Sequence, residues 1–182
     1  MDCEYNLIIG ERSNGKSYAI KEYAIKNALA DEDSKFMYLR RYGDDLKGIS
    51  IKSYFGDMIC MLEEHTKGDF NDITYVRGNI VARHINDDGN IDNTKVIGYA
   101  KSISDAERIK SNTFPDVQTI IFEEFIATKM YLQDETLRFE SIVSTVSRRR
   151  RIKVYMIGNT LSRNCIYFNY FSLVNIPKQK PG

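Results

Sequence analysis

Apolar positions along this chain fall into short blocks separated by polar punctuation, and the length and period of each block predict its element. Tyr5 to Ile9 is an apolar run of strand length, followed by a glycine-containing turn. From Lys16 to Ala30 the apolar residues recur at helical spacing, and Asp31-Glu32-Asp33 ends the pattern. Lys35 to Leu39 is a second short strand, closing on Arg40-Arg41. Strand, loop, helix, strand in this order predicts a parallel sheet with a crossover helix.

Leu46 to about Thr66 reads as mainly helical, with Ile59 and Leu62 available for one face. Ile73 to Val76 and Ile80 to Ile85 flank Gly78-Asn79 and predict a hairpin, because Gly and Asn tolerate the positive dihedrals of tight turns. A second turn at Asn86 to Asn90 precedes a strand near Val96 to Ala100, so the middle of the chain resembles a β-hairpin insertion in an α/β core. Ser102 to Ser111 has helical spacing and stops before Pro115, and Val117 to Phe122 is an almost wholly apolar strand running into Glu123-Glu124. A helix from about Asp134 to Arg149 leads to a strand at Val154 to Ile157, then Gly158-Asn159-Thr160 and an aromatic segment with Tyr167, Phe168, Tyr170 and Phe171. Residues 1–176 are expected to form one P-loop domain, with 177–182 the start of a linker to a C-terminal domain.

Composition changes this picture little. With 182 residues, 42% hydrophobic and 28% charged, the chain suits one globular domain, and no apolar run approaches the roughly 18 residues of a membrane span. No membrane association is expected. The start is acidic where a secretory signal would be basic, which predicts an intracellular protein. Cys3, Cys60 and Cys165 form no C-x-x-C pair, so reduced thiols are expected and neither a disulfide framework nor a zinc site. The net charge of +1 makes no whole-molecule argument for nucleic acid, but Arg148 to Arg151 are four consecutive arginines and Arg40-Arg41 a further pair.

Gly10-Glu11-Arg12-Ser13-Asn14-Gly15-Lys16-Ser17 fits G-x-x-x-x-G-K-[ST] in full, between a predicted strand and a predicted helix. In that context the loop amides and the positive helix end surround a β-phosphate, Lys16 reaches the β- and γ-phosphates, and the Ser17 hydroxyl ligates Mg²⁺. Gly10, Arg12, Ser13, Asn14, Gly15, Lys16, Ser17 and Tyr18 are therefore the candidate nucleotide contacts. The strand before Glu123-Glu124 delivers two carboxylates where ligands of open α/β sheets bind. Glu123 is expected to share the Mg²⁺ shell with Ser17, and Glu124 to polarise the attacking water. Tandem acids favour hydrolysis over transfer to a metabolite. The fold expected is an α/β P-loop NTPase (ASCE-type), with a mainly parallel sheet flanked by helices and ATP and Mg²⁺ as its ligands.

Asn159 stands at a third strand end, where it either senses the γ-phosphate or simply makes a turn. The arginine cluster has three readings: a finger that stabilises transition-state charge on a neighbour's nucleotide, a DNA-backbone patch, or helix C-terminal surface charge. His65 and His84 are isolated and read as surface or structural residues.

In order and spacing, these segments resemble the DNA-encapsidation ATPases of small tailed bacteriophages, packaging motors related to terminase large subunits. The likeness rests on Arg12 within the P-loop, Tyr38-Leu39-Arg40-Arg41-Tyr42, Lys110-Ser111-Asn112 before Phe114-Pro115, Ile120 to Phe125, and Thr145-Val146-Ser147-Arg148 ahead of a strand ending in Asn159. The resemblance implies that Arg148 is the finger acting on the neighbouring subunit, that Arg150 is a second basic residue beside it, that Lys110 also acts in trans, and that Arg40 joins the nucleotide site. At the metal-site acid the family usually carries Asp where this chain has Glu123. Further implications are a homomeric, pentameric ring, docking on a procapsid portal in the host cytoplasm, double-stranded DNA as the driven partner, and a packaging RNA in some relatives. Lys129 is a candidate pore contact. The rival readings are a small-molecule kinase and a nucleotide-gated DNA-binding assembly module without turnover.

Overall fold

Seven strands form one sheet in the order β1-β7-β6-β2-β5-β4-β3. They are β1 (Cys3–Gly10), β2 (Lys35–Arg40), β3 (Asp72–Val76), β4 (Asn79–Ile85), β5 (Ile91–Ser102), β6 (Val117–Glu123) and β7 (Ile152–Asn159). β1, β7, β6, β2 and β5 pair in parallel, whereas β4 and β3 add in antiparallel fashion beyond β5. The computed structural model of the chain describes residues 3–128, 130–159 and 165–173. Lys129, Thr160 and the expected linker at 177–182 lie outside the described residues.

Side chains alternate across each strand, so neighbours in sequence feed different layers. Ile120 and Phe122 of the central β6 enter one core with Met37, Leu39, Val154 and Met156; Ile121 enters the other with Phe36, Tyr38 and Ile157. The first core is roofed by α4 (Ala106–Lys110), α5 (Glu135–Ser147) and α6 (Ile166–Tyr170), the second by α1 (Lys16–Ala30), α2 (Gly48–Phe55) and α3 (Ile59–Thr66). A strand buried on both faces needs an almost continuous apolar sequence, which is why β6 was conspicuous.

The hairpin is present, but its two-residue turn is Arg77-Gly78, one residue earlier than expected: Val76 pairs with Asn79, and both turn residues have positive φ, 48° and 89°. It continues the edge of the main sheet. β5 begins at Ile91, earlier than its apolar stretch, because its polar first half pairs with β4. The region read as one helix from Leu46 to Thr66 is broken at Gly56-Asp57-Met58 by a 3₁₀ turn between α2 and α3. α5 stops at Ser147, where Arg148 and Arg149 take φ of 37° and 71°. Among the described residues no helix is long and apolar enough to cross a membrane.

Glu140 on α5 accepts the Tyr5 hydroxyl at 2.9 Å, and burial raises its pKa above the ordinary value despite that bond. A carboxyl raised on folding stabilises the fold below its unfolded pKa and loses that contribution as pH rises through the folded one. Glu140→Gln is therefore expected to raise the melting temperature at pH 7, with the gain gone by about pH 3, below the ordinary glutamate value, where both side chains are neutral. Parallel thermal melts of the two proteins at those pH values check this.

Candidate nucleotide site

Four parallel strands end on the same edge of the sheet, and three of them deliver a polar side chain there. β1 ends at Gly10, paired with Asn159 at the end of β7; β6 ends at Glu123 and β2 at Arg40. The loop from Glu11 to Gly15 then turns the chain into α1. A Cβ at Gly10 would lie 2.6 Å from Asn14 Nδ2, so the bare backbone lets the loop close over itself. Gly15, with φ 78°, is in the left-handed region that favours glycine.

No side chain caps α1, and no acidic residue lies in its first turn. The amides and dipole of that turn are thus available to an anion. Lys16 Nζ donates to Asn14 Oδ1 at 2.8 Å and to the Glu11 carbonyl, folding its ammonium across the loop. Arg12 and Ser13 are exposed on the loop, and Tyr18 is exposed just after it.

Ser17 Oγ donates to Glu123 Oε1 at 2.7 Å, and Tyr54 OH of α2 donates to Glu123 Oε2 at 2.7 Å. A hydroxyl touching a carboxylate beside a phosphate-binding loop is the hard-oxygen donor set that Mg²⁺ takes, with substrate phosphates and waters completing its shell. The residues present fit that ion. Burial, followed by the Glu123 charge, raises the Tyr54 phenol well above its usual pKa, so it remains a donor.

Glu124 leaves the strand with φ 58° and accepts from Arg40 Nη2 at 2.7 Å. Burial opposes the Arg40 charge, but Tyr38, Glu124 and Asp45 outweigh it and raise its pKa. Its sequence neighbour does something else. Arg41 is buried, donates from Nε to Glu135 Oε2 at 2.8 Å, and uses its other nitrogens on the carbonyls of Glu124 at 3.1 Å and Phe125 at 2.9 Å. Glu135 is 1% exposed and also accepts Tyr167 OH and the Leu132 amide. Arg41 thereby fixes the turn that carries Glu124. Alternation along β2 was a usable signal that residues 40 and 41 would part, but nothing local marked Glu135 as the partner, or Tyr54 and Lys21 as part of the surroundings of Glu123.

Lys110 and Arg148 both lie near the end of α4, away from this site. Arg148 Nη2 donates to the Asn112 carbonyl at 3.0 Å, just past the end of α4, where Lys110 Nζ binds Glu107 at 2.6 Å. Both precede strands whose far ends carry Glu123 and Asn159, so the length of a seven-residue strand, about 20 Å, separates them from the loop of the same chain. Arg150 spends its guanidinium on the carbonyls of Phe114, Pro115 and Val146 at 2.6–2.7 Å, which makes it a brace between α5 and the turn before β6. Arg148, Arg149 and Arg151 are exposed.

The family described as Podovirus DNA encapsidation protein (Gp16) matches residues 1–180. The chain belongs to this family. Within it, the DNA packaging protein of Bacillus phage phi29 is 34% identical over 173 residues, covering 93% of this chain and 46% of that protein. The DNA packaging protein of Bacillus phage B103 is 35% identical over 173 residues, 93% of this chain and 48% of the relative. The chain thus spans about half the length of the curated relatives it matches. Among solved structures, the N-terminal domain of the DNA packaging ATPase from bacteriophage phi29 superposes with TM-score 0.75 at 30% identity, over 96% of this chain and 82% of that one. The large terminase ATPase domain of Thermus phage P74-26 shares the fold, with TM-score 0.58 at 14% identity over 96% of this chain and 67% of that one. The encapsidation family's α/β fold, with its mostly parallel sheet, is the one its sequence pattern predicts.

Proposed function

We propose that this chain is an ATPase of a DNA-packaging motor, hydrolysing ATP at the Gly10–Tyr18 loop with Glu124 as general base. The observation that carries this is the contact of Ser17 with Glu123 at the head of an uncapped loop-helix, with Glu124 on the next residue. Lys16 exchanges Asn14 and Glu11 for phosphate oxygens, and Asn159, beside Gly10, faces the terminal phosphate. Ser17 and Glu123 would hold Mg²⁺, which would supply neutralisation of phosphate charge when bound. Glu124 takes a proton from water as the water oxygen bonds to the γ-phosphorus and the bond to the β-phosphate oxygen breaks, leaving ADP and phosphate. Arg40, bonded to that carboxylate, sets where it points.

Arg148 and Lys110 complete catalysis from a neighbouring copy. Support comes from their position at the opposite end of the strands, out of reach of their own loop. A closed ring of identical subunits brings one such end against the next subunit's nucleotide edge. The relatives named for DNA packaging and a second phi29 structure, a viral genome packaging motor assembly, support a role within a packaging assembly; on this reading the driven partner is double-stranded DNA and the assembly is a portal-docked, pentameric ring, with or without a packaging RNA.

The test is product analysis with ATP and Mg²⁺ and no added acceptor. Phosphate and ADP should appear in equal amounts, and Lys16→Ala should abolish both turnover and binding of a fluorescent ATP analogue. No phosphate release without an acceptor, and ADP together with a phosphorylated metabolite once candidate acceptors are added, would establish the kinase reading instead.

A further inference from the structure

The metal-site carboxylate is held on both oxygens, and only one of its holders belongs to the nucleotide loop. Tyr54 supplies the other bond from α2, an element the P-loop motif does not include. Its ring stacks on Tyr38 with centroids 4.7 Å apart and meets Phe55 edge-on at 5.0 Å. The ammonium of Lys21, 3% exposed, lies 4.4 Å from the ring centroid. Lys21 also donates to the Tyr54 carbonyl at 2.6 Å and to Asp57 at 2.5 and 2.7 Å. Lys21 is one turn beyond Ser17 on α1, so the helix that presents the metal-binding hydroxyl also pins the segment that presents the phenol. Stacking, cation–π contact and backbone bond leave the Tyr54 hydroxyl little freedom.

We infer that Tyr54 is a positioning residue for the divalent cation: it fixes the Glu123 carboxylate so that Oε1 stays against Ser17. This rests on the reading of Ser17 and Glu123 as the metal site. A glutamate has one more rotatable bond than an aspartate, and a carboxylate on the longer arm needs a second anchor to present one oxygen in a fixed direction. Ligand carboxylates are commonly held by such outer partners, whose loss costs roughly 10–100-fold in metal affinity or activity.

The measurement is binding of a fluorescent, non-hydrolysable ATP analogue to this chain as Mg²⁺ is raised, so that the readout does not depend on turnover. Tyr54→Phe keeps the ring and its stacking and removes only the donor. It should raise the half-saturating Mg²⁺ about tenfold, with the melting temperature of the nucleotide-free protein unchanged. In a Glu123→Asp background the shorter side chain withdraws from the phenol, and adding Tyr54→Phe should shift the Mg²⁺ requirement less than about twofold, the non-additivity expected of contacting groups. An unshifted Mg²⁺ curve for Tyr54→Phe, or the same tenfold rise in both backgrounds, overturns the inference. Ser17→Ala and Glu123→Ala separate the two levels: if they shift the curve and Tyr54→Phe does not, only the role of Tyr54 falls. If neither shifts it, the metal-site reading falls as well.

Discussion

If the proposed ring forms, Arg148→Ala is expected to lower steady-state ATP hydrolysis by about 10³-fold or more, the loss typical of removing an arginine finger. Glu124→Gln lowers it by about 10²–10⁴-fold, the range for losing a general base. In the proposed ring the two defects lie on different sides of one interface. A ring mixing the two variants therefore contains interfaces where an intact Glu124 site faces an intact Arg148, about a quarter of them for random assembly of equal amounts. Activity in the mixture should rise far above either variant alone, and the rate per wild-type subunit should climb with protein concentration as interfaces form. The placement of Arg148 motivates the expectation: it bonds the Asn112 carbonyl at the start of the strands, while Glu124 stands at their other end. A wild-type rate per subunit that is independent of concentration, with no recovery on mixing, would mean that catalysis is complete within one chain.

Glu135→Ala is expected to be the most damaging single change to stability. It strands the buried Arg41 guanidinium and removes the acceptor of the Tyr167 hydroxyl and the Leu132 amide. Breaking one partner of a buried pair costs about 3–5 kcal/mol. At about 2–4 °C per kcal/mol for a domain of this size, the melting temperature should fall by roughly 10 °C. A second variant separates stability from chemistry. Arg41→Met with Glu135→Leu replaces the pair by apolar groups and should recover much of the melting temperature, since desolvating both charges was itself costly. Hydrolysis should stay depressed in that double variant, because the carbonyls of Glu124 and Phe125 have lost their arginine and the base is no longer held in place. Full recovery of both would show that Arg41 serves stability alone.

The two arginines after β2 show how far local reading reaches. The resemblance implies Arg40 at the nucleotide site, and its side chain bonds Glu124 at the strand ends. Arg41 differs only in facing the other way, yet it belongs to the core. The four-arginine run divides in the same manner: Arg148 stays exposed, while Arg150 braces four carbonyls. A charge cluster in the sequence is a count, and the direction of each side chain decides what the count means.

The sequence by itself determined whatever depends on neighbours along the chain. The strand-loop-helix around Gly10 to Ser17, the doubly buried strand ahead of Glu123-Glu124 and the presence of a hairpin around Gly78 follow from periodicity and turn chemistry within a few residues, although the turn itself fell one residue earlier than they indicate. Tertiary structure alone decided which groups from distant segments meet: Tyr54 with Glu123, 69 residues apart; Arg41 with Glu135, 94 apart; and Arg148 with Asn112, 36 apart. It also decided that the hairpin extends the main sheet and that Lys110 and Arg148 face away from their own loop. The physical reason is that a strand or helix is specified by the backbone's local preferences and its pattern of apolar faces. Which charge or hydroxyl completes a site is set instead by strand order and register, and these carry no signature in any one segment.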